Sequence, residues 1–457
     1  MTKNKNAALS IEARGKLGKD IIYQKLHKTQ TAKSYRKPAN PNTENQQAVR
    51  VAMQGLISAW QSLTDEQKTA WNSYGQKSRR PGYSEFLRLN YAQFFDSETY
   101  DEWPPDHIEP PGPWYNEAWE NRIKITVDNS KVSGSADFEN IPLFVDLAEL
   151  PAAFFTAVKA DGGDIRVTTG DMVTEMPREV VSLDTGAETG ELHFQAPALK
   201  YNENTDFYIY YNNPAASDYA PSDPYGAENV WPSTFKGVWH KNDVTTSTIK
   251  DSTSNANNGT KKAANEPTEA AGKVGQAQDY DGTNDYIAIP DKSYWSFPGN
   301  FTISYWIKWE GTPGATSIMG HDEGGGGSKK WILGWNNTVA NKVSIHIQTG
   351  GYNISWSWTP SADTWYLMTV KRSSNSWYLY VNGAATNSPQ SNSVAFPSIS
   401  APLTLGSDGE SWKWVKGLLD EIRIQDTAEG ADQIITEYNN QADQATFFTI
   451  AAPETKP

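Results

Sequence analysis

The chain has 457 residues, no cysteine, 18 Trp, 22 Tyr and 34 Gly, and a net charge of −14. That length suits two to four domains, and the absence of thiols excludes disulfides, thiolate zinc sites and a cysteine nucleophile. No window of about 18 apolar residues is present, so no membrane insertion is expected, and Met1–Lys16 lacks the apolar run of a cleaved signal, so the chain is expected to stay where it is made or leave by another route.

Residues 1–40 read as a basic extended arm. Residues 1–37 hold ten Lys or Arg against two acids, a charge of +8 that leaves −22 for the rest of the −14 chain. Such an arm seeks an acidic surface, and Arg14, Lys16, Lys19, Lys25, Lys28, Arg36 and Lys37 are the candidates for anchoring it to an assembly. The bland alternative is a solvated tail. Tyr23, His27 and Tyr35 among the charges suit nucleic acid, but the acidic remainder disfavours that partner, and docking on an acidic protein lattice is preferred.

Residues 41–100 carry the strong helical periodicity. Thr43 is a candidate N-cap, Val49, Met53, Leu56, Ile57 and Trp60 recur at helical spacing, and Thr64-Asp-Glu-Gln67 reads as a capping box before Trp71 and Tyr74. Ser84 can cap a third segment with Phe86, Leu89 and Phe94. Five prolines make residues 101–118 a stiff linker.

From Trp119 the period changes to two. Arg122–Val127, Ile141–Leu147, Asp164–Val167, Leu192–Phe194 and Asp206–Tyr211 are strand candidates, and residues 119–222 form a β-sandwich on this reading. Residues 226–443 repeat the style at larger scale, with strands at Phe301–Lys308, Lys342–Ile347, Trp365–Val370, Trp377–Val381, Leu403–Leu405 and Leu418–Ile424. Asn382-Gly383 is a hairpin signal. Residues 444–457 are a linker-like or pairing tail. The fold class is therefore mainly β: two consecutive β-sandwich (jelly-roll) domains, a small N-terminal α-helical module and an extended basic arm.

Little here points to catalysis. The six histidines are scattered without paired metal spacing, and His240, beside Trp239 at a strand edge, reads as structural. No nucleophile elbow is present, and Gly324–Gly327 lacks the ending of a phosphate loop. A glycosidase needs two carboxylates flanking the bond, whereas Asp420 and Glu421 are adjacent and alternation sends them to opposite faces. The expectation is a protein that is not an enzyme. Sugars stack on flat rings, and Tyr352, Trp356 and Trp358 share one strand face while Trp412 and Trp414 share another. These five are the glycan candidates, set against core or inter-domain packing.

Several stretches in order carry a resemblance: Val238-Trp-His240, Asp251–Thr260, Tyr280–Tyr286, Phe301–Trp306, Tyr378–Gly383 and Gly417–Ile424. Residues 226–443 resemble the laminin-G-like, concanavalin A-like jelly-roll family, and residues 119–213 are similar to a small β-domain of unassigned function that precedes such modules. The resemblance implies one Ca²⁺ between the loop after the first strand and the final strand. Asp251, Asn255 and Asn257 supply oxygen donors in that loop, and Asp420 adds another if first and last strands are neighbours. Asp281 and Asp285 are further candidates. Turn formation is the competing use of these residue types.

Gly15–Gly18, Asn40–Gln47, Arg50, Trp60–Gln67 and Ala70–Tyr74 resemble small phage-encoded, virion-associated proteins. That resemblance implies a virion structural protein of decoration, collar or fibre type. It would be held to virion proteins by its arm, homo-oligomeric, and displaying sandwiches that bind cell-surface glycans. The alternative is a secreted or surface glycan-binding adhesin.

Overall fold

The computed structural model describes residues 15–17, 21–26, 29–34, 44–77, 79–97, 99–102, 104–105, 114–242, 247–264, 266–325, 327–348, 351–387, 389–409 and 413–456. They fall into two compact units, 1–110 and 111–457.

In the first unit, part of the leader is pleated rather than simply extended. Strands Gly15–Leu17, Ile21–Leu26 and Thr29–Ser34 pair antiparallel as a small sheet, and the β-branched and aromatic residues Ile21, Ile22 and Tyr23 favour that state. Three helices follow, Glu44–Ser62, Asp65–Lys77 and Gly82–Ser97. The capping box forms reciprocally: Thr64 N donates to Gln67 Oε1 at 2.7 Å and Gln67 N to Thr64 Oγ1 at 3.1 Å. The core is Leu56, Ala59, Leu63, Trp71 and Phe86. Its stripe on the first helix runs through Ala52, Leu56 and Ala59 and is continued by Leu63 just past the helix end, so Val49 and Ile57, expected inside, are 41% and 36% exposed. Thr43 lies outside the described residues.

The second unit opens with a sandwich. One sheet runs Phe448–Ile450, Asn121–Val127, Thr205–Tyr211, Arg166–Thr169, Glu175–Met176, with Glu454–Thr455 also on Asn121–Val127. The other is Phe138–Asp146, Thr189–Leu199, Arg178–Asp184. Ile123, Ile125, Leu143, Leu192, Phe194 and Phe207 fill the space between. The C-terminal tail is therefore a pairing tail, and it pairs with the first sandwich rather than with the jelly roll that precedes it in sequence.

Between these two contributions lies the jelly roll. One sheet runs Thr268–Ala271, Gln276–Asp281, Lys416–Gln425, Phe301–Trp309, Trp365–Ser373, Ser376–Val381, Ala384–Ala385, with Phe235–Trp239 also on Lys416–Gln425. The facing sheet runs Thr248–Ile249, Gly259–Lys261, Ile287–Ile289, Leu403–Leu405, Thr316–Asp322, Lys330–Trp335, Lys342–Ile347, Tyr352–Ser357. Tryptophans 239, 295, 331, 356 and 377 sit in its core. Asn382 and Gly383 both take positive φ, 51° and 75°, as the expected two-residue hairpin requires.

Beyond the helical periodicity within 41–100, the structure adds a helix at Ala431–Ala442. Its buried residues include Thr436, Glu437, Asn440 and Gln441, with Ile434, so no apolar stripe advertises it. The polar face has a use. Asn440 accepts from Phe144 N at 2.8 Å and donates to Phe144 O at 2.9 Å, which closes the edge of strand Phe138–Asp146. No described helix is long and apolar enough to cross a membrane.

Candidate functional site

Strand Thr189–Leu199 alternates: Leu192, Phe194 and Ala196 enter the first sandwich, so Glu191 and His193 face the other way. The jelly roll covers that face, and both side chains are fully buried. Strand Arg178–Asp184 adds Glu179 beside them. From the jelly roll come His240, one residue past strand Phe235–Trp239, and Glu421 and Arg423 on strand Lys416–Gln425.

That last strand is bulged. Its register against Phe301–Trp309 shifts between Ser304, opposite Arg423, and Trp306, opposite Asp420, and Glu421 has φ 47°. The extra residue leaves both Asp420 and Glu421 outside the core that holds Leu419 and Ile422. The expectation that these two carboxylates lie on opposite faces fails for this reason.

The result is a sealed polar cluster. Glu191 Oε1 lies 2.9 Å from His193 Nε2 and 3.2 Å from His240 Nδ1, which is also 2.7 Å from Glu421 Oε2. The two imidazoles stack with centroids 4.5 Å apart. His240 Nε2 is 3.4 Å from Glu179 Oε2; Trp231 Nε1 donates to that oxygen at 2.9 Å and Ser252 Oγ to Oε1 at 2.7 Å. Arg423 donates to Glu421 Oε1 through Nε at 2.8 Å and Nη2 at 2.6 Å.

Burial opposes charge on His240, but Glu421 beside it, with hydrogen bonds to Glu179 and Glu191, holds its pKa well above the usual value. Burial and the neighbouring His240 lower His193. Burial would raise Glu179, yet its bond with His240 brings it down to about 2. Burial, then adjacent Glu421, pushes Asp420 well up, and burial pushes Lys241 down to about 7. Glu191, His193, His240 and Glu421 could hold a metal ion: one atom from each lies within 4.8 Å of the others. Their imidazole nitrogens give calcium no specific support.

A second feature is open to solvent. Trp414 is half-buried and stacks on Tyr286, centroids 6.2 Å apart and planes 25° apart. Beside it a cleft of about 230 Å³ is lined by Trp309, Glu310, Thr312, Thr316 and Lys416. Glu310 also borders a cleft of about 350 Å³ lined by Glu266, Asp279, Asp281 and Asp285. Burial, with Glu310 adding, raises Asp279; burial, with Asp281 and Glu266 adding, raises Asp285.

The expected calcium loop is tightly self-bonded. Asp251 accepts from Val238 N, Thr253 N, Thr253 Oγ1 and Asn257 N. Asn255 donates to Phe235 O, and Asn257 donates to Lys236 O and Tyr294 Oη. Asp420 shares no partner with them and accepts from Lys273 N and Val274 N. Among the aromatic candidates, Trp356 is a core residue at 1% exposure, which corrects its reading as part of a sugar platform, while Trp358 is half-buried and packs against that core. The Tyr352 side chain and Trp412 lie outside the described residues, leaving Trp414 at a cleft. Of the anchoring set, Arg14, Lys19, Lys28, Arg36 and Lys37 lie outside the described residues; Lys16 and Lys25 are in strands, their side chains undescribed. The His240 cluster is hidden in the sequence because its members are scattered from Glu179 to Arg423. Glu191 and His193, two titratable residues on the face of strand Thr189–Leu199 that also carries Thr189 and Gln195, are its one readable sign.

Residues 281–435 match the family described as the concanavalin A-like lectin/glucanases superfamily. No curated protein matches the chain. Among solved structures, domain 4 of the extracellular arabinanase AbnA from Geobacillus stearothermophilus is similar at 21% identity and TM-score 0.36, over 46% of this chain and 98% of that one. The binding domain of Paraclostridial Mosquitocidal Protein 1 is similar at 14% identity and TM-score 0.35, over 45% of this chain and 52% of that one. Trypanosoma rangeli sialidase is similar at 12% identity and TM-score 0.36, over 55% of this chain and 42% of that one.

Proposed function

We propose that the protein is a non-catalytic glycan-binding protein whose jelly roll takes a sugar in the cleft beside Trp414. The observation that carries this reading is a half-buried indole, backed by Tyr286, at the mouth of a cleft edged with Glu310, Lys416, Thr312 and Thr316. A flat ring meets the C–H face of a sugar while the rim supplies donors and acceptors for its hydroxyls. The family match at 281–435 is consistent with this use. The buried carboxylates Glu191, Asp420 and Glu421 are each no more than 1% exposed, so no glycosidic bond reaches them, which supports binding over hydrolysis. The acidic cleft sharing Glu310 offers the oxygen donors a calcium ion prefers, and we place the calcium role there.

The test is a glycan array with the full chain, followed by calorimetric titration of the best hit. Trp414→Ala is expected to weaken binding at least about tenfold without altering the circular dichroism, and chelating calcium to weaken it as well. An array without hits, or affinity indifferent to Trp414→Ala, ends the proposal; affinity indifferent to chelation ends the calcium part alone.

A second reading concerns residues 1–110: a virion attachment module, leaving the sandwiches displayed. It is favoured by the +8 leader on an acidic chain and by the N-terminal resemblance. Removing residues 1–40 should release the protein from particles, and retained attachment would overturn it. A surface or secreted adhesin would then remain.

A further inference from the structure

We infer that Glu191, His193, His240 and Glu421 form a site for one divalent transition ion of the zinc class, and that this ion locks the two sandwiches together. Two donors come from each side: Glu191 and His193 from the first sandwich, His240 and Glu421 from the jelly roll. A tetrahedral ion on bonds of about 2.1 Å wants its ligand atoms about 3.4 Å apart. Here Glu191 Oε1 is 2.9 Å from His193 Nε2 and 3.2 Å from His240 Nδ1, which is 2.7 Å from Glu421 Oε2, so these three pairs lie inside that spacing and an ion would draw them slightly apart, while the four atoms stay within 4.8 Å of one another. Imidazole nitrogen mixed with carboxylate selects zinc-like ions over calcium or magnesium.

The surroundings fit the same role. A ligating imidazole passes its second N–H to a carboxylate, and Glu179, fixed by Trp231 and Ser252, is the carboxylate beside His240 Nε2, 3.4 Å away with no hydrogen bond yet formed. Arg423 holds the outer oxygen of Glu421, which orients the inner one. With protons alone the cluster is poorly satisfied: His240 Nδ1 faces two carboxylate oxygens at once, Glu191 Oε1 at 3.2 Å and Glu421 Oε2 at 2.7 Å, and both side chains of strand Thr189–Leu199 keep a further buried polar atom, Glu191 Oε2 and His193 Nδ1, without a hydrogen-bond partner. Desolvated polar atoms left in this way are costly. An ion on the two carboxylates and the imidazoles neutralises the pair of carboxylates that His240 Nδ1 faces. The jelly roll closes over the site at Gly275, where φ is +56° and an added Cβ would fall 2.0 Å from Glu191 Oε2.

The test uses tag-free full-length protein stripped with a chelator. Zinc is titrated against a chromophoric chelator, and cobalt(II) is followed by its visible spectrum. One equivalent with a tetrahedral cobalt spectrum is expected. His240→Gln and Glu191→Gln should each lower affinity at least about hundredfold, and Glu179→Gln about 10–100-fold. His346→Ala, remote from the cluster and bonded to Asn353 and Gln348, should change nothing. Wild-type protein that takes up no stoichiometric zinc or cobalt overturns the inference whether or not the variants fold. So does one-equivalent binding that survives both His240→Gln and Glu191→Gln.

Discussion

A carboxylate buried among other acids must shed its charge or weaken the fold. Glu429 is 5% exposed, its Oε1 accepting from the amides of Gln425 and Gln433, its Oε2 without a partner. Burial, then the neighbouring Glu437, raises its pKa well above the usual 4.5, with Arg423 opposing. The folded state thus holds a proton that the unfolded chain gives up near that usual value. Stability from this group is complete at lower pH and is lost as pH rises toward the folded pKa. Glu429→Gln keeps the neutral shape, so its unfolding free energy should fall less than wild type as the pH rises from about 5 into the alkaline range. Urea unfolding across that range checks this, and parallel curves would show that Glu429 does not titrate there. Such residues are hard to find in sequence, because charge tells nothing of burial. Asp251 and Asn257 show the same limit from the other side: turn-making and cation binding use the same side chains, and here they serve Val238, Thr253 and Lys236.

Elements explain why the strands were legible and the cluster was not. Strand Thr189–Leu199 alternates from Glu191 to Ala196, and its two faces could be read there from Leu192-His193-Phe194. Strand Lys416–Gln425 could not, since one bulged residue at Glu421 resets the faces. The helix Ala431–Ala442 was hidden because what it buries is polar. Its Asn440 stands in for a missing neighbour strand, satisfying both backbone groups of Phe144. Asn440→Ala would leave a buried N–H and C=O unpaired, and at about 1–3 kcal/mol for each such group the second unit should lose about 2 kcal/mol or more. Asn440→Asp, which keeps the acceptor for Phe144 N, should lose less if it stays uncharged at low pH. Chemical unfolding at matched pH measures both, and an Asn440→Ala variant as stable as wild type would show that the edge does not need covering.

At the scale of the molecule, residues 111–457 cannot be cut into two independent sandwiches. The chain leaves the first sandwich at Tyr211, builds the jelly roll, and returns to lay Phe448–Ile450 and Glu454–Thr455 on Asn121–Val127. Phe447, fully buried, completes the first core, although it lies 236 residues beyond that sandwich's last internal strand. Coupling through the tail, the helix Ala431–Ala442 and the Glu–His cluster predicts one cooperative transition for both sandwiches. Leu192→Ala in one core and Ile345→Ala in the other each delete a fully buried side chain, at a cost of about 2–5 kcal/mol. Each should shift the same calorimetric peak, with no second peak left behind. Ending the chain at Asp443 removes Phe447 and both returning strands, so the first sandwich should melt earlier and apart from the jelly roll. If the truncated chain still melts in one step, the tail is not the coupling element, and the helix with the buried cluster must carry it alone.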